Sequence, residues 1–465
     1  MYFGDMAHVP TEAAFTLFYK SKPLFFVMSQ LRPLYLLWFW VFAAVAPAQN
    51  LPPVDAIYEP DIRTVLLVPL LGSDPADPAL SLNPPVINLS ENTGLVLSFD
   101  DLRADYRPFR ARLLHCTWDW QPSALSDIEF TYEYNDFPIQ DYQLSNGTKV
   151  PYYHYRFAVP KVKLPGNYLL VVYHERNPSE VVFTRRFCTY RPSVGLAPNV
   201  QFSSGPQERF TDQQVDFDLS YRGYPLMAPQ DELNVVIRQN FRDDRRIAGL
   251  RPTNVRAFDN VLEYRLFDLR NTFPGSNEYR FFDIRTIVSP ASFIDRLDRR
   301  SERTLAYVLP DAPRSTGAYV LTDDFNGQFV VDQLESRNGP TQADYITTVF
   351  TLRSQELPGA EVYVNGAFNL WKLDDRNRMT YTPERGGYVA QIPLKQGVYN
   401  YNYSVKGIAP PVARSGLSAE GNETLVEGNY SATENDYEIF VYHRPPASRA
   451  DLLIGYRRVG VNKRR

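Results

Sequence analysis

The side chains in this chain that could do chemistry on their own are few: His8, His115, His154, His174 and His443, with Cys116 and Cys188, among 465 residues. No two histidines stand at metal-ligand spacing. His115 and Cys116 are neighbours in an apolar, strand-like run, so they point to opposite faces and cannot share an ion. There is no G-x-S-x-G elbow, no phosphate-binding glycine loop and no H-E-x-x-H helix. A glycosidase needs two carboxylates about 5–10 Å apart in space, and 53 acidic residues do not single out a pair. The expectation is a protein without catalytic residues, metal or cofactor.

The remaining chemistry is recognition. Forty-nine basic against 53 acidic residues give a net charge of -4, which excludes a generally basic nucleic-acid binder. The densest charge run is Asp295-Arg296-Leu297-Asp298-Arg299-Arg300-Ser301-Glu302-Arg303. Its alternating signs suit a solvated face, and Ile294–Arg303 is the best short helical stretch in the chain. Arg296, Arg299, Arg300 and Arg303 are the groups it offers to a docking partner. The basic end, Arg457, Arg458, Lys463, Arg464 and Arg465, is expected to be frayed and solvated.

The elements that must position these groups are strands. Thirty-one Tyr, 29 Phe and 37 Pro favour pleated sheets joined by proline-rich loops. Period-2 alternation recurs at Ile128-Phe130-Tyr132-Tyr134, at Val215-Phe217-Leu219-Tyr221 and at Tyr399-Tyr401-Tyr403-Val405. The fold class expected is all-β, with three consecutive immunoglobulin-like β-sandwich domains. Proline- and glycine-rich stretches at 191–198 and 336–340 place them at 49–192, 198–336 and 341–445, followed by a tail at 446–465.

Ahead of them, Arg32, the apolar run Leu34–Val45 and Ala46-Pro47-Ala48 form a secretory signal peptide at 1–48, with cleavage before Gln49 and Met28 as the expected start. Export brings an oxidising compartment. Cys116 and Cys188 both lie in strands of the first domain, so a bridge between them is expected; the other reading is two separate buried thiols.

The third domain carries a pattern of its own. Glu361–Trp371 gives a strand, a glycine turn and an aromatic corner, Gly366-Ala367-Phe368-Asn369-Leu370-Trp371. Gly387–Leu394 and Gly397-Val398-Tyr399-Asn400-Tyr401-Asn402-Tyr403 follow. These elements resemble the early-set immunoglobulin-like modules that bind glycogen and starch. The resemblance implies a sugar-stacking role for Trp371, while burial in the sandwich core is the reading preferred on packing grounds.

A longer set of stretches resembles a more specific family, the plug protein of the type IX secretion system of Bacteroidota. They are Leu114–Trp120, Asn277–Arg285, Asp324-Phe325-Asn326-Gly327-Gln328-Phe329, Ala343-Asp344-Tyr345, Glu427–Glu438, Val441–Arg444 and Asp451–Tyr456. They run in order across residues 55–460, with one departure at Ala450, where an aromatic is expected. The resemblance implies a non-catalytic periplasmic β-protein at the inner face of the outer membrane. Its partner would be the outer-membrane translocon β-barrel, whose periplasmic mouth it closes. An exported glycan-binding protein using Trp371 is the alternative.

Overall fold

A strand that alternates apolar and polar residues buries one face, so sheets of such strands must stack in pairs. That is how this chain folds. The computed structural model describes residues 51–70, 77–103, 105–336, 339–408 and 420–463, and from Leu51 onward they pack as one unit. The expected signal peptide with its Met28 start, Leu34–Val45 and cleavage before Gln49 lies outside the described residues, as do Arg464 and Arg465.

Among the described residues six sheets form three sandwiches, each closed over its own apolar cluster. The first sets the sheet ordered Ala56–Ile57, Asn177–Tyr190, Gly166–His174, Phe109–Cys116, Phe137–Ile139 against Ile62–Leu70, Gly94–Asp101, Tyr153–Ala158, Asp141–Leu144. Leu97, Phe99, Leu113, Tyr155, Leu170 and Phe183 fill it. The second sets Gly195–Phe202, Asp212–Ser220, Val261–Tyr264, Asn254–Arg256 against Arg242–Ala248, Leu233–Gln239, Asn435–His443, Leu452–Val461. The third centres on Gly397–Lys406, flanked by Arg280–Asp283, Phe329–Val331 and Glu361–Asn365. It faces the sheet ordered Ile294–Asp298, Leu305–Val308, Tyr345–Leu352, Gly387–Lys395, Thr380–Thr382.

The all-β, sandwich expectation is met, but the sandwiches are not threaded in series. Leu233–Gln239 pairs with Asn435–His443 in full register, Leu233 opposite His443 and Gln239 opposite Tyr437. The third sandwich is therefore inserted into the second, and the division at 198–336 and 341–445 does not describe the strand pairing. The described part of the expected tail, 446–463, is not frayed either. Leu452–Val461 is a strand on Asn435–His443, because Leu453 and Ile454 are apolar and buried.

Local periodicity misled at two other places. Ile128, Tyr132 and Tyr134 are 78%, 68% and 85% exposed, and only Phe130 is buried. The segment begins with a short helix, Asp127–Phe130, closed by a capping box between Ser126 and Glu129. Ile294–Arg303, expected to be helical, opens with the edge strand Ile294–Asp298. By contrast, Asp212–Ser220 and Gly397–Lys406 fall where alternation puts them.

Candidate docking surface and the seams behind it

Strand Asn435–His443 is buried on both sides. Tyr437, Ile439 and Val441 enter the second core, while Phe440 and Tyr442 turn to the first sandwich. Glu438, on that second side, takes a two-pronged grip from Arg238, Nε to Oε2 at 2.8 Å and Nη2 to Oε1 at 3.1 Å. Arg238 also reaches Asp243 at 3.0 Å, and Asp243 takes Arg186 of the first sandwich at 3.1 Å. Arg186 and Arg238 lie 4.3 and 5.1 Å from the Trp120 and Phe440 ring centres. Charges sealed in this way are neutralised pair by pair, the condition for burying them at all.

The second and third sandwiches meet at Arg242. Its Nη2 is 2.6 Å from Glu423 Oε1, and Arg245 reaches Oε2 at 2.6 Å. Burial alone would raise the Glu423 carboxyl, but the two guanidiniums outweigh it and hold it at about 2. Trp371 is part of this seam. Arg242 stacks 3.9 Å from its ring centre and Tyr279 sits 5.7 Å away. Trp371 and Leu370 both have left-handed backbones, φ 59 and 55°, a conformation costly for side chains with a Cβ. Trp371 is thus half-buried between sandwiches. It lies outside the third core, and Arg242 covers one face of its ring. A Cβ on Gly327 would come within 2.4 Å of its ring. Asn326 and Gly327, at φ 52 and 81°, form the turn that lets the backbone pass.

Asp324, at the start of that turn, behaves oppositely to Glu423. Its burial, with Glu278 close by, pushes its carboxyl up to about 7 despite the backbone N–H groups of Asn326 and Tyr279 that it accepts.

The first and third sandwiches meet around Tyr152 and Tyr345, whose rings pack edge to face at 5.4 Å. Asp344 accepts the backbone N–H groups of Lys149 and Val150 at 3.0 and 3.1 Å, and Tyr152 Oη donates to Ala343 O at 2.8 Å. Lys395, Asp100 and His154 lie beneath them.

The basic run expected to dock a partner stands beside this seam. Ile294–Asp298 pairs with Leu305–Val308, Arg296 opposite Tyr307, and the Arg296 guanidinium stacks 3.7 Å from the Tyr307 ring centre. Asp298 accepts Arg300 N at 2.9 Å, which shapes the connecting turn. Lys149 Nζ holds the turn from outside by donating to Arg299 O at 2.8 Å and Ser301 O at 3.3 Å. Arg296, Arg299, Arg300 and Arg303 are all exposed, and none is ion-paired among the described residues. Four free guanidiniums on a braced hairpin can grip carboxylates or phosphates. Arg296 alone lies on the edge strand, where a charge disfavours pairing with another chain.

Cys116 and Cys188 are free and buried. Both stand opposite Asn167, one from each flanking strand. Two strand spacings put them about 10 Å apart, beyond the reach of about 7 Å that a disulfide needs. The expected bridge is not formed, and burial pushes both thiols up to about 12, where they are poor nucleophiles. His115 is buried with both ring nitrogens unpartnered and is pushed down to about 4, which keeps it neutral. Among the described residues no three His, Cys, Asp or Glu side chains are placed to hold a metal.

Sequence reasoning missed a second exposed set. Met227, Phe258, Phe267 and Phe210, all on loops of the second sandwich, are 91%, 104%, 87% and 76% exposed. The signal was present in Phe258-Asp259-Asn260 and Phe267-Asp268, an aromatic placed directly before a turn-forming Asp.

The stretches quoted for the plug-protein resemblance gather at the seams. Trp120, Tyr279, Gly327, Tyr345 and Glu438 each touch a neighbouring sandwich or the residues that do. They stand where the sandwiches are joined. Residues 62–191, the first sandwich, match the family described as type 9 secretion system plug protein 1st domain. The chain is also similar to a crystal structure of a hypothetical protein from Parabacteroides merdae ATCC 43184. The two are 28% identical with a TM-score of 0.79, over 88% of this chain and 99% of that one. No curated protein matches the chain.

Proposed function

We propose, from the premise that this chain belongs through residues 62–191 to the type 9 secretion system plug protein family, that it stops the periplasmic mouth of the system's outer-membrane barrel. A wide barrel encloses water and leaks when it is open. A stopper needs breadth and stiffness, and three sandwiches locked by buried ion pairs supply both. Its role is to bind and block, without a reaction. The exposed set Arg296, Arg299, Arg300 and Arg303 is the proposed contact with acidic groups of the barrel, and the protein works in the periplasm after its signal peptide is removed. The family match carries this reading.

The test is a deletion strain. Its outer membrane should admit large antibiotics that the parent excludes, and secretion should continue. Re-expression of the chain should restore the barrier. An unchanged barrier in the deletion strain would refute the role. Nothing favours the glycan alternative, and Arg242 covers one face of Trp371.

A further inference from the structure

Lys395 and Asp100 belong to different sandwiches and are 1% and 0% exposed. Lys395 Nζ lies 2.6 Å from Asp100 Oδ2. At that separation the amine is within roughly 3.5 Å of the carboxyl carbon, the range of a near-attack arrangement. The other carboxylate oxygen, Oδ1, is 2.7 Å from His154 Nδ1, and Tyr345 Oη donates to Oδ2 at 2.7 Å. Tyr345 is itself within 2.7 Å of Thr64 Oγ1. Tyr152 covers the amine, its ring centre 4.2 Å from Nζ, and Pro340 O accepts from Nζ at 2.7 Å. An amine, a carboxyl group and two hydrogen-bond donors on that carboxyl are thus enclosed by aromatic rings.

We propose that Lys395 and Asp100 react to form an isopeptide bond that ties the third sandwich covalently to the first. The Nζ–Cγ bond forms and the Cγ–Oδ2 bond breaks. Of the three ammonium hydrogens one stays on the amide nitrogen and two leave with Oδ2 as water, so no other reactant is needed. His154 Nδ1–H stands at Oδ1, where negative charge builds as the amine attacks. Tyr345 stands at the departing oxygen and can pass protons to it.

Reaction requires the neutral amine and the neutral acid. Burial lowers the Lys395 ammonium in spite of Asp100, which favours the nucleophilic form. Burial also presses the Asp100 carboxyl upward, but Lys395 and His154 outweigh that and keep it low, so the neutral pair is the minor form from which the reaction runs. The driving force is the cost of two sealed charges. The amide carries none, and the enclosed site releases the water that would reverse the step.

The full chain, exported and then denatured, is analysed by intact mass and peptide mapping. The wild type should be one water, about 18 Da, lighter than its sequence. It should also yield a branched peptide joining the segments around Asp100 and Lys395. Lys395→Met should restore the full mass and give linear peptides. Asp100→Asn should lose ammonia, about 17 Da, in place of water. Recovery of wild type at full mass, with linear peptides covering both residues, would overturn the proposal even if neither variant folds.

Discussion

The chain uses arginine in two opposite ways. At the seams, Arg186, Arg238 and Arg242 are largely shielded, stacked on aromatic rings and matched to Asp243, Glu438 and Glu423. At the hairpin, Arg296, Arg299, Arg300 and Arg303 are exposed and free of carboxylates among the described residues. The first group holds three sandwiches in one arrangement. The second group has its geometry set by the backbone and its charge left for something outside the molecule. Seam changes should therefore act on stability and hairpin changes on binding, and the two readouts can be separated.

The largest expected effect is at the seam. Glu423→Ala leaves Arg242 with Asp244 alone and takes from Arg245 its carboxylate, and should cost about 3 kcal/mol, the low end for a broken buried pair, read by denaturant unfolding. Because Glu423 is held at about 2, below its unfolded value of 4.5, its contribution is complete above about pH 4.5. It is lost as pH falls toward 2. A mild loss in the variant would mean that the seam is open to water.

Trp371→Ala comes next. It removes the stack under Arg242 and part of a buried ring, for about 2 kcal/mol. This is below the cost of a core tryptophan because the ring is only half-buried. Retention on immobilised starch or glycogen should be absent in both wild type and variant. Specific retention by the wild type that the variant loses would revive the sugar reading.

Asp324→Asn should have a smaller effect, with a pH dependence of opposite sign. A carboxyl raised from 3.8 to about 7 holds more protons in the folded state than in the unfolded one, so its contribution falls as pH rises from about 4 to 7. The Asn amide can accept only one of the two N–H groups, so the test is the change with pH: from pH 4 to pH 8 the stability of the variant relative to wild type should rise by about 1 kcal/mol. A thermal melting series across that range shows the difference. A stability difference that does not change with pH would contradict the assignment.

The smallest effect on stability belongs to the hairpin. Changing Arg296, Arg299, Arg300 and Arg303 together to Ser should move stability by no more than about 1 kcal/mol, at exposed positions outside the cores. Binding to the barrel should nevertheless be lost. Loss of folding would place these arginines with the seam group, and unchanged binding would remove the hairpin from the interface.

These two regions were unequally legible in the sequence. The hairpin arginines stood out as a charge run because exposure leaves composition visible. The secondary structure beneath them was misjudged because Ile294–Asp298 is a short edge strand whose residues alternate poorly. The seams were legible only as stretches of family resemblance. Val215–Tyr221 betrays its strand because one face is buried, whereas Asn435–His443 buries both faces and shows no alternation to find. Its pairing with Leu233–Gln239 spans about 200 residues, and local pattern carries no record of such a partner. The Cys116–Cys188 bridge failed for a related reason: the expectation put both in strands of the first domain, and in the sheet a third strand lies between them.

The measurement that bears most directly on the account is the amount of this chain on translocon purified from native outer membranes. In the closed state the chain should co-isolate with the barrel in near-equal amounts, and the four-arginine variant should be absent from it. A purified, closed barrel that never carries this chain would contradict the central claim.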